Sequence, residues 1–494
     1  MEPADRAPDG RFGRLSRRFR RVVTGLSLVV AVVTLGLSPA PGRAAPSGAF
    51  SAMTHVANIR YPLGKVGDKG TDLELTTIAG RDYAFAGTYG GGLHVIDVTD
   101  PRHPDEVAFY SCSASQGDVQ VFRRAGRSFI TYTADNGFTR SASGQCYTDA
   151  KVPAGERYGT FIIDVTVPAR PRAVGWVAVP AGSHNQSVHP SGRWMYNSNS
   201  DLENPVGVIE VIDLAELREP EVVSELPLQT GLSSHDITFS DDGTRAYVAA
   251  VTHTLVLDTT DPGRPVVIGR IIDPAVNIHH QADPITLQEK GLGIRRMLVV
   301  TDELAGAEGN AFCPGGGLHV YDITGGLERA PVKVGFFAIP EVRRTDGPLD
   351  RCTAHVLRMY PQQRLMTIAW YAAGVRVIDL SGLVGVSVGG PKAGPVAQGM
   401  REVGYFRFPD SEVWAAKTNR IAADGSFYLY ANDLRRGFDV FRYLPGRSLP
   451  GATASGGGTW LTADETAQAA RARGVGSTAV GDRTPVCLLP PAAA

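Results

Sequence analysis

Seven recurrences of one apolar strand, six of them ending in aspartate, a hairpin ahead of each, and a spare strand near the N-terminus predict an all-β protein. The architecture they predict is a seven-bladed β-propeller whose last blade is completed by the N-terminal strand. The recurring strand reads "GLHVIDVTDP" from Gly92, "GTFIIDVTVP" from Gly159, "VIEVIDLAEL" from Val208 and "HTLVLDTTDP" from His253. It continues as "GLHVYDITGG" from Gly317, "GVRVIDLSGL" from Gly374 and a degenerate "GFDVFRYLPG" from Gly437. The shorter spacings match one four-stranded blade of about 40–45 residues.

Each of the first six copies is followed by a further apolar strand, such as "AVGWVAVP" or "KVGFFAIP", whereas the seventh runs into a Gly/Ser/Pro-rich tail. "HVANIRYPL", from His55, is the missing match. Pairing it with the seventh copy closes the ring and removes an open sheet edge. The first two strands of each blade form a hairpin, in five cases with a glycine eight residues after the first position, where a tight turn needs it. The expected domain limits are 1–45 for a signal peptide, 46–448 for the propeller and 449–494 for the tail.

The segment before the propeller has the composition of a targeting sequence. A basic stretch, "RLSRRFRR", precedes sixteen apolar-rich residues, and "SPAPGRAA" offers small residues for cleavage near Ala44 or Ala45. The apolar run is short for a spanning helix, and the protein is expected to be secreted or extracytoplasmic, by a general or a twin-arginine route. Taking the segment's eight arginines and three acidic residues from the chain's 49 basic and 50 acidic leaves 41 and 47, a net charge of −6. That balance argues against a nucleic-acid partner. No later segment is expected to cross a membrane, and a monomer is expected. With export in view, Cys112–Cys146 and Cys313–Cys352 are the expected disulfides, leaving Cys487 in the tail.

The repeat motifs "LHVIDV", "VIEVIDL", "LHVYDI" and "VRVIDL" resemble those of the bacterial LVIVD-repeat proteins, over about residues 55–445. The resemblance implies a propeller and an exported protein, and implies little about activity.

Aligning the hairpins on their glycines places Asp72, Asp118, His184, His235, His280, His355 and Lys417 at the heads of the innermost strands. Four histidines of the chain's eleven fall on this ring around the channel mouth. Imidazole binds zinc, copper, iron and nickel, so His184, His235, His280 and His355, with Asp118 adjacent, are the expected ligands of a transition metal, identity open among copper, iron and zinc. The outline is similar to propeller metalloenzymes such as methanethiol oxidase of the selenium-binding family, without a longer shared motif. Glu303 is the first candidate for proton transfer or an extra ligand; Asp135, Asp302, Tyr371 and Asp433 sit at comparable strand ends. Asp72 and Lys417, neighbours around the closed ring, are candidates for an ion pair. His94 and His319 are expected to face solvent, His189 to lie in a turn, and His279 to compete with His280 for the inward position.

Two functions fit this reading. One is a metal-dependent oxidoreductase or hydrolase acting on a small-molecule substrate. The other is a non-catalytic scaffold presenting its loops to a protein or a cell-surface glycan.

Overall fold

The computed structural model describes residues 49–62, 69–114, 116–135, 143–200, 207–229, 232–291, 293–304, 316–339, 341, 352–386 and 399–447. The expected signal segment and tail lie outside these, as do Cys313 and Cys487.

Seven antiparallel sheets form the blades, each running in strand order from the channel outward. Their innermost strands are Gly70–Ile78, Gln116–Arg124, Asn185–Val188, Asp236–Phe239, His279–Glu289, Leu357–Tyr360 and Val413–Lys417. Each of these touches the next, and the seventh touches the first, so the ring is closed.

Closure is made by the N-terminal strand. Met53–Ile59 pairs with Gly437–Tyr443 as the outermost strand of blade seven. It carries a register shift at His55/Ala57, matching the shift between third and fourth strands of the other six blades. A short strand just before it, Ala49–Ser51, pairs with Arg401–Arg407 and gives blade six a fifth strand that the sequence pattern did not predict. Ala52, at φ +52°, turns the chain from one blade to the other. His55 packs among Phe406, Phe408 and Phe441 and donates from Nε2 to Asp439 at 2.7 Å, joining this strand to both blades.

The repeated aspartate has a local cause. Asp97, Asp164, Asp213, Asp258, Asp322 and Asp379 each accept a bond from the backbone N–H two residues on, at 2.7–3.0 Å. This caps the turn out of the third strand, and an arginine pairs with the same carboxylate in each blade. The apolar residues before the aspartate alternate between the two faces of their blade, and buried clusters such as Met297, Phe337, Trp370 and Leu383 fill the space between blades.

Among the described residues no helix is long and apolar enough to cross a membrane. Cys112 and Cys146 form a disulfide with their Cα atoms 5.2 Å apart. Cys352 is also disulfide-bonded, while Cys313, its expected partner, lies outside the described residues.

Candidate metal centre

The four histidines come together. Consecutive rings lie 4.7 Å (His184–His235), 4.2 Å (His235–His280) and 4.4 Å (His280–His355) apart between centroids, and none is more than 1% exposed. Blade closure explains the arc. Each histidine stands at the start of an innermost strand, so neighbouring blades present them at one height.

In three of the four the outward nitrogen is committed. His184 Nδ1 donates to Asp135 Oδ2 at 2.7 Å, His235 Nδ1 to the His280 carbonyl at 3.1 Å, and His355 Nδ1 to the Trp414 carbonyl at 2.6 Å. A carbonyl can only accept, so His235 and His355 carry their proton on Nδ1 and hold Nε2 as a lone pair. Fixing one imidazole nitrogen through a carbonyl or carboxylate is how ligating histidines are oriented. His355 Nε2 and both nitrogens of His280 are buried with no hydrogen-bond partner.

Glu303 stands against these nitrogens, fully buried. Its Oε2 is 3.6 Å from His280 Nε2, its Oε1 is 3.6 Å from His355 Nε2, and Oε1 accepts from the Tyr371 hydroxyl at 2.6 Å. A separation of 3.6 Å exceeds hydrogen-bond reach. Two donors sharing a tetrahedral ion at bonds of about 2.1 Å stand about 3.4 Å apart, so the spacing suits a common cation. Donor atoms of His235, His280 and Glu303 lie within 4.8 Å of one another, and no other such group occurs among the described residues. Tyr371 is held at φ +40°, a strained conformation for a non-glycine residue, with its ring 4.5 Å from that of His355.

Burial keeps the imidazoles of His235, His280 and His355 neutral. It lowers His280 well below its ordinary value, helped by the neighbouring His235, His355 and His184. His235 is lowered well below for the same reason, by burial first and then by His184 and His355. Burial is also the main cause that brings His355 down to about 3. Neutral imidazole is the form that ligates a metal.

Asp118 is not brought to this cluster. Asp118 N and Gln281 N donate alike to Thr133 Oγ1 (2.8 Å) and Thr301 Oγ1 (2.9 Å), so Asp118 corresponds to Gln281, and Gly117 to His280. Its carboxylate accepts from Gln186 N of the next blade at 2.9 Å. The ring at histidine height therefore reads Thr71, Gly117, His184, His235, His280, His355 and Trp414. Turn chemistry caused the slip. Ala79–Gly80 and Ala125–Gly126, all at positive φ, make two-residue turns, whereas Gly192 and Gly243 close longer ones. Equal spacing from the glycine thus marks different heights. Lys417 ends its strand instead of starting it, and its Nζ reaches Asp72 at 3.0 Å and Glu74 at 2.9 Å.

The remaining positions sort plainly. Asp135 and Glu303 are counterparts, two residues beyond Thr133 and Thr301, and each approaches the histidine of the following blade. Asp302 accepts from Ile278 N and Asn277, and Asp433 from the backbone of Glu412, Arg435 and Arg436. His94 and His319 do not face solvent; they are 3% and 1% exposed, because the third strand lies inside its blade and the fourth covers it. His189 is also buried, bonded to Ser191 and the Gly243 carbonyl. His279 turns away from the cluster and shares a bond with Thr254 through Nδ1.

A cavity of about 460 Å³ runs from the histidines along the innermost strands. It ends at the exposed hairpin residues Pro190, Asp241 and Pro361. Its wall carries Asp72, Asp118, Asp236, Asp283, Arg358 and Lys417.

No family model matches the chain, and no curated protein matches it in sequence. Among solved structures it is similar to the periplasmic gluconolactonase PpgL of Pseudomonas aeruginosa, at 12% identity and a TM-score of 0.47, covering 81% of this chain and 95% of that one. It is also similar to the Cps50 (Swd1) β-propeller domain of Myceliophteria thermophila, at 11% identity and a TM-score of 0.48, covering 79% and 99%. Likenesses this weak carry neither residue correspondence nor function.

Proposed function

We propose that this protein is an exported LVIVD-repeat propeller that binds one transition-metal ion through His235, His280 and Glu303, with His184 and His355 completing the donor set. The observation that carries the proposal is the pairing of unpartnered, neutral Nε2 atoms on His280 and His355 with the two oxygens of one buried carboxylate, each 3.6 Å away. Leaving such nitrogens bare in the interior costs about 1–3 kcal/mol each, which a bound ion would remove. A mixed imidazole and carboxylate set suits copper, iron or zinc. Asp118 belongs with the channel wall in this account.

Such a metal supplies Lewis-acid or redox chemistry to a small molecule, making the protein an oxidoreductase or hydrolase. Asp135 and the Trp414 carbonyl orient His184 and His355. Tyr371 holds Glu303 and can exchange a proton with it. The cavity admits the substrate from the hairpin face. Export is supported by the basic and apolar N-terminal segment and by the Cys112–Cys146 disulfide.

The test is reconstitution. The chelator-stripped mature protein, titrated calorimetrically with zinc or copper(II), is expected to take up one ion, and His235→Ala/His280→Ala to take up none. A stripped protein that binds none of copper, zinc or iron(II) would leave the non-catalytic scaffold.

A further inference from the structure

Between the histidines and the cavity mouth the wall carries more carboxyl groups than basic ones. Asp72 and Glu74 share Lys417, and Glu74 also takes Arg358. Asp118, Asp236 and Asp283 have no ion pair among the described residues. Their bonds come from neutral donors: Gln186 N (2.9 Å) to Asp118, Ile237 N (2.7 Å) to Asp236, and Thr238 Oγ1 (2.6 Å) with Gln281 Nε2 (3.1 Å) to Asp283. Arg296, nearer the mouth, is engaged by Glu328 and the Tyr247 hydroxyl. Burial, and behind it the charges of Asp72 and Asp236, holds the Asp118 carboxyl well above the usual range, with the Gln186 N–H and Lys417 offsetting this only in part; burial raises Asp283 too, against the Thr238 hydroxyl, Arg358, Gln281 and Lys417.

A second observation points to a ligand in the same space. The unpartnered nitrogens of His280 and His355, 1% exposed, border this cavity at its inner end. The aspartates do not converge tightly enough to chelate a bare ion, since His235, His280 and Glu303 are the one group among the described residues with donors that close. Carboxylates spread along a wall suit a polyatomic cation with several N–H donors. The volume of about 460 Å³ falls in the range of small-molecule sites.

We propose that the channel takes a small organic cation, of the alkylammonium or guanidinium class, with its charged end among Asp118, Asp236 and Asp283 and its other end toward His280 and His355. This names the substrate class of the proposed metal site, and rests on that reading only for what happens at the inner end.

The experiment measures binding of n-butylammonium and n-butylguanidinium to the mature protein by calorimetry, with n-butanol as the neutral control. Wild type, Asp118→Asn/Asp283→Asn and the single Asp118→Asn are compared, each as purified and after chelation, with thermal melts to confirm folding. At least one cation is expected to bind one site at least tenfold tighter than butanol, to weaken at least tenfold in the double variant, and to bind unchanged after chelation. Cations that bind no better than butanol, or equally well to the aspartate variants, would overturn the proposal. So would binding that chelation abolishes and the variants keep, because the nitrogen would then be coordinating metal. Metal content, measured on the same samples, decides the metal reading separately.

Discussion

Replacing Asp135 with alanine isolates one element of the proposed centre without touching a ligand. The carboxylate receives the Nδ1 proton of His184 at 2.7 Å, and both side chains are at most 2% exposed. Two effects follow. In the metal-free protein, His184 loses the acceptor that fixes its ring, and a buried donor left without that bond costs about 1–3 kcal/mol. In the loaded protein, the imidazole is no longer held with Nε2 inward, and removing an orienting partner of this kind costs about 10–100-fold in metal affinity. That corresponds to about 1.4–2.7 kcal/mol. Asp135→Asn keeps an oxygen acceptor and should lose less than Asp135→Ala. The assay is competition against a chromogenic chelator of known affinity, run on wild type, both Asp135 variants and His184→Ala. The reasoning is refuted if Asp135→Ala stays within twofold of wild type while His184→Ala falls more than tenfold.

Three further outcomes are expected. Arg376 is fully buried between Glu341 (3.0 Å) and Glu402 (2.9 Å), so Arg376→Met should destabilise by about 3–5 kcal/mol, read from denaturant unfolding; a loss under 1 kcal/mol would contradict this. A mature chain beginning after Ile59 leaves the strand Gly437–Tyr443 as an open edge without its partner, and should aggregate or be cleaved by protease at concentrations where the full chain resists. Burial opposes ionisation of Asp273, but Lys333, the Tyr321 hydroxyl and Ala275 N outweigh it and hold the carboxyl well below the usual range. Its folded pKa being depressed, the contribution to stability is present above about pH 4 and lost as pH falls below it. Asp273→Asn should therefore cost about 1.5 kcal/mol at pH 7, the low end for a charged bond because Lys333 is 31% exposed, and flatten the acid limb of the stability profile.

The fold was legible because each blade repeats a local solution. The capping aspartate and the apolar strand before it recur in the chain, and the missing fourth strand could be counted. The fifth strand of blade six, Ala49–Ser51, could not, since three residues carry no period. In the site, the histidines stood out by number, but their height relative to Asp118 and Lys417 did not. Turn length and bulges set that height. Register shifts at Gly70/Leu73, Gln116/Val119, His279/Ala282 and Val413/Ala415 add a residue to some innermost strands and not to others. Aligning the second strands on Thr133 and Thr301 would have set the register, since each hydroxyl receives the backbone N–H of the residue after the ring position. The burial of His94 and His319 was missed because the alternation of a third strand covered on both faces looks the same as that of an exposed one.

The central claim is that His235, His280 and Glu303 hold a metal ion in the working protein. Elemental mass spectrometry of the mature protein, purified without chelators or affinity metals, tests it most directly, with His235→Ala/His280→Ala beside it. The account predicts about one equivalent of copper, iron or zinc in wild type, and a loss of at least tenfold in the variant while its melting curve stays cooperative. A folded wild-type protein with no stoichiometric metal, or a variant that retains it, would contradict the claim.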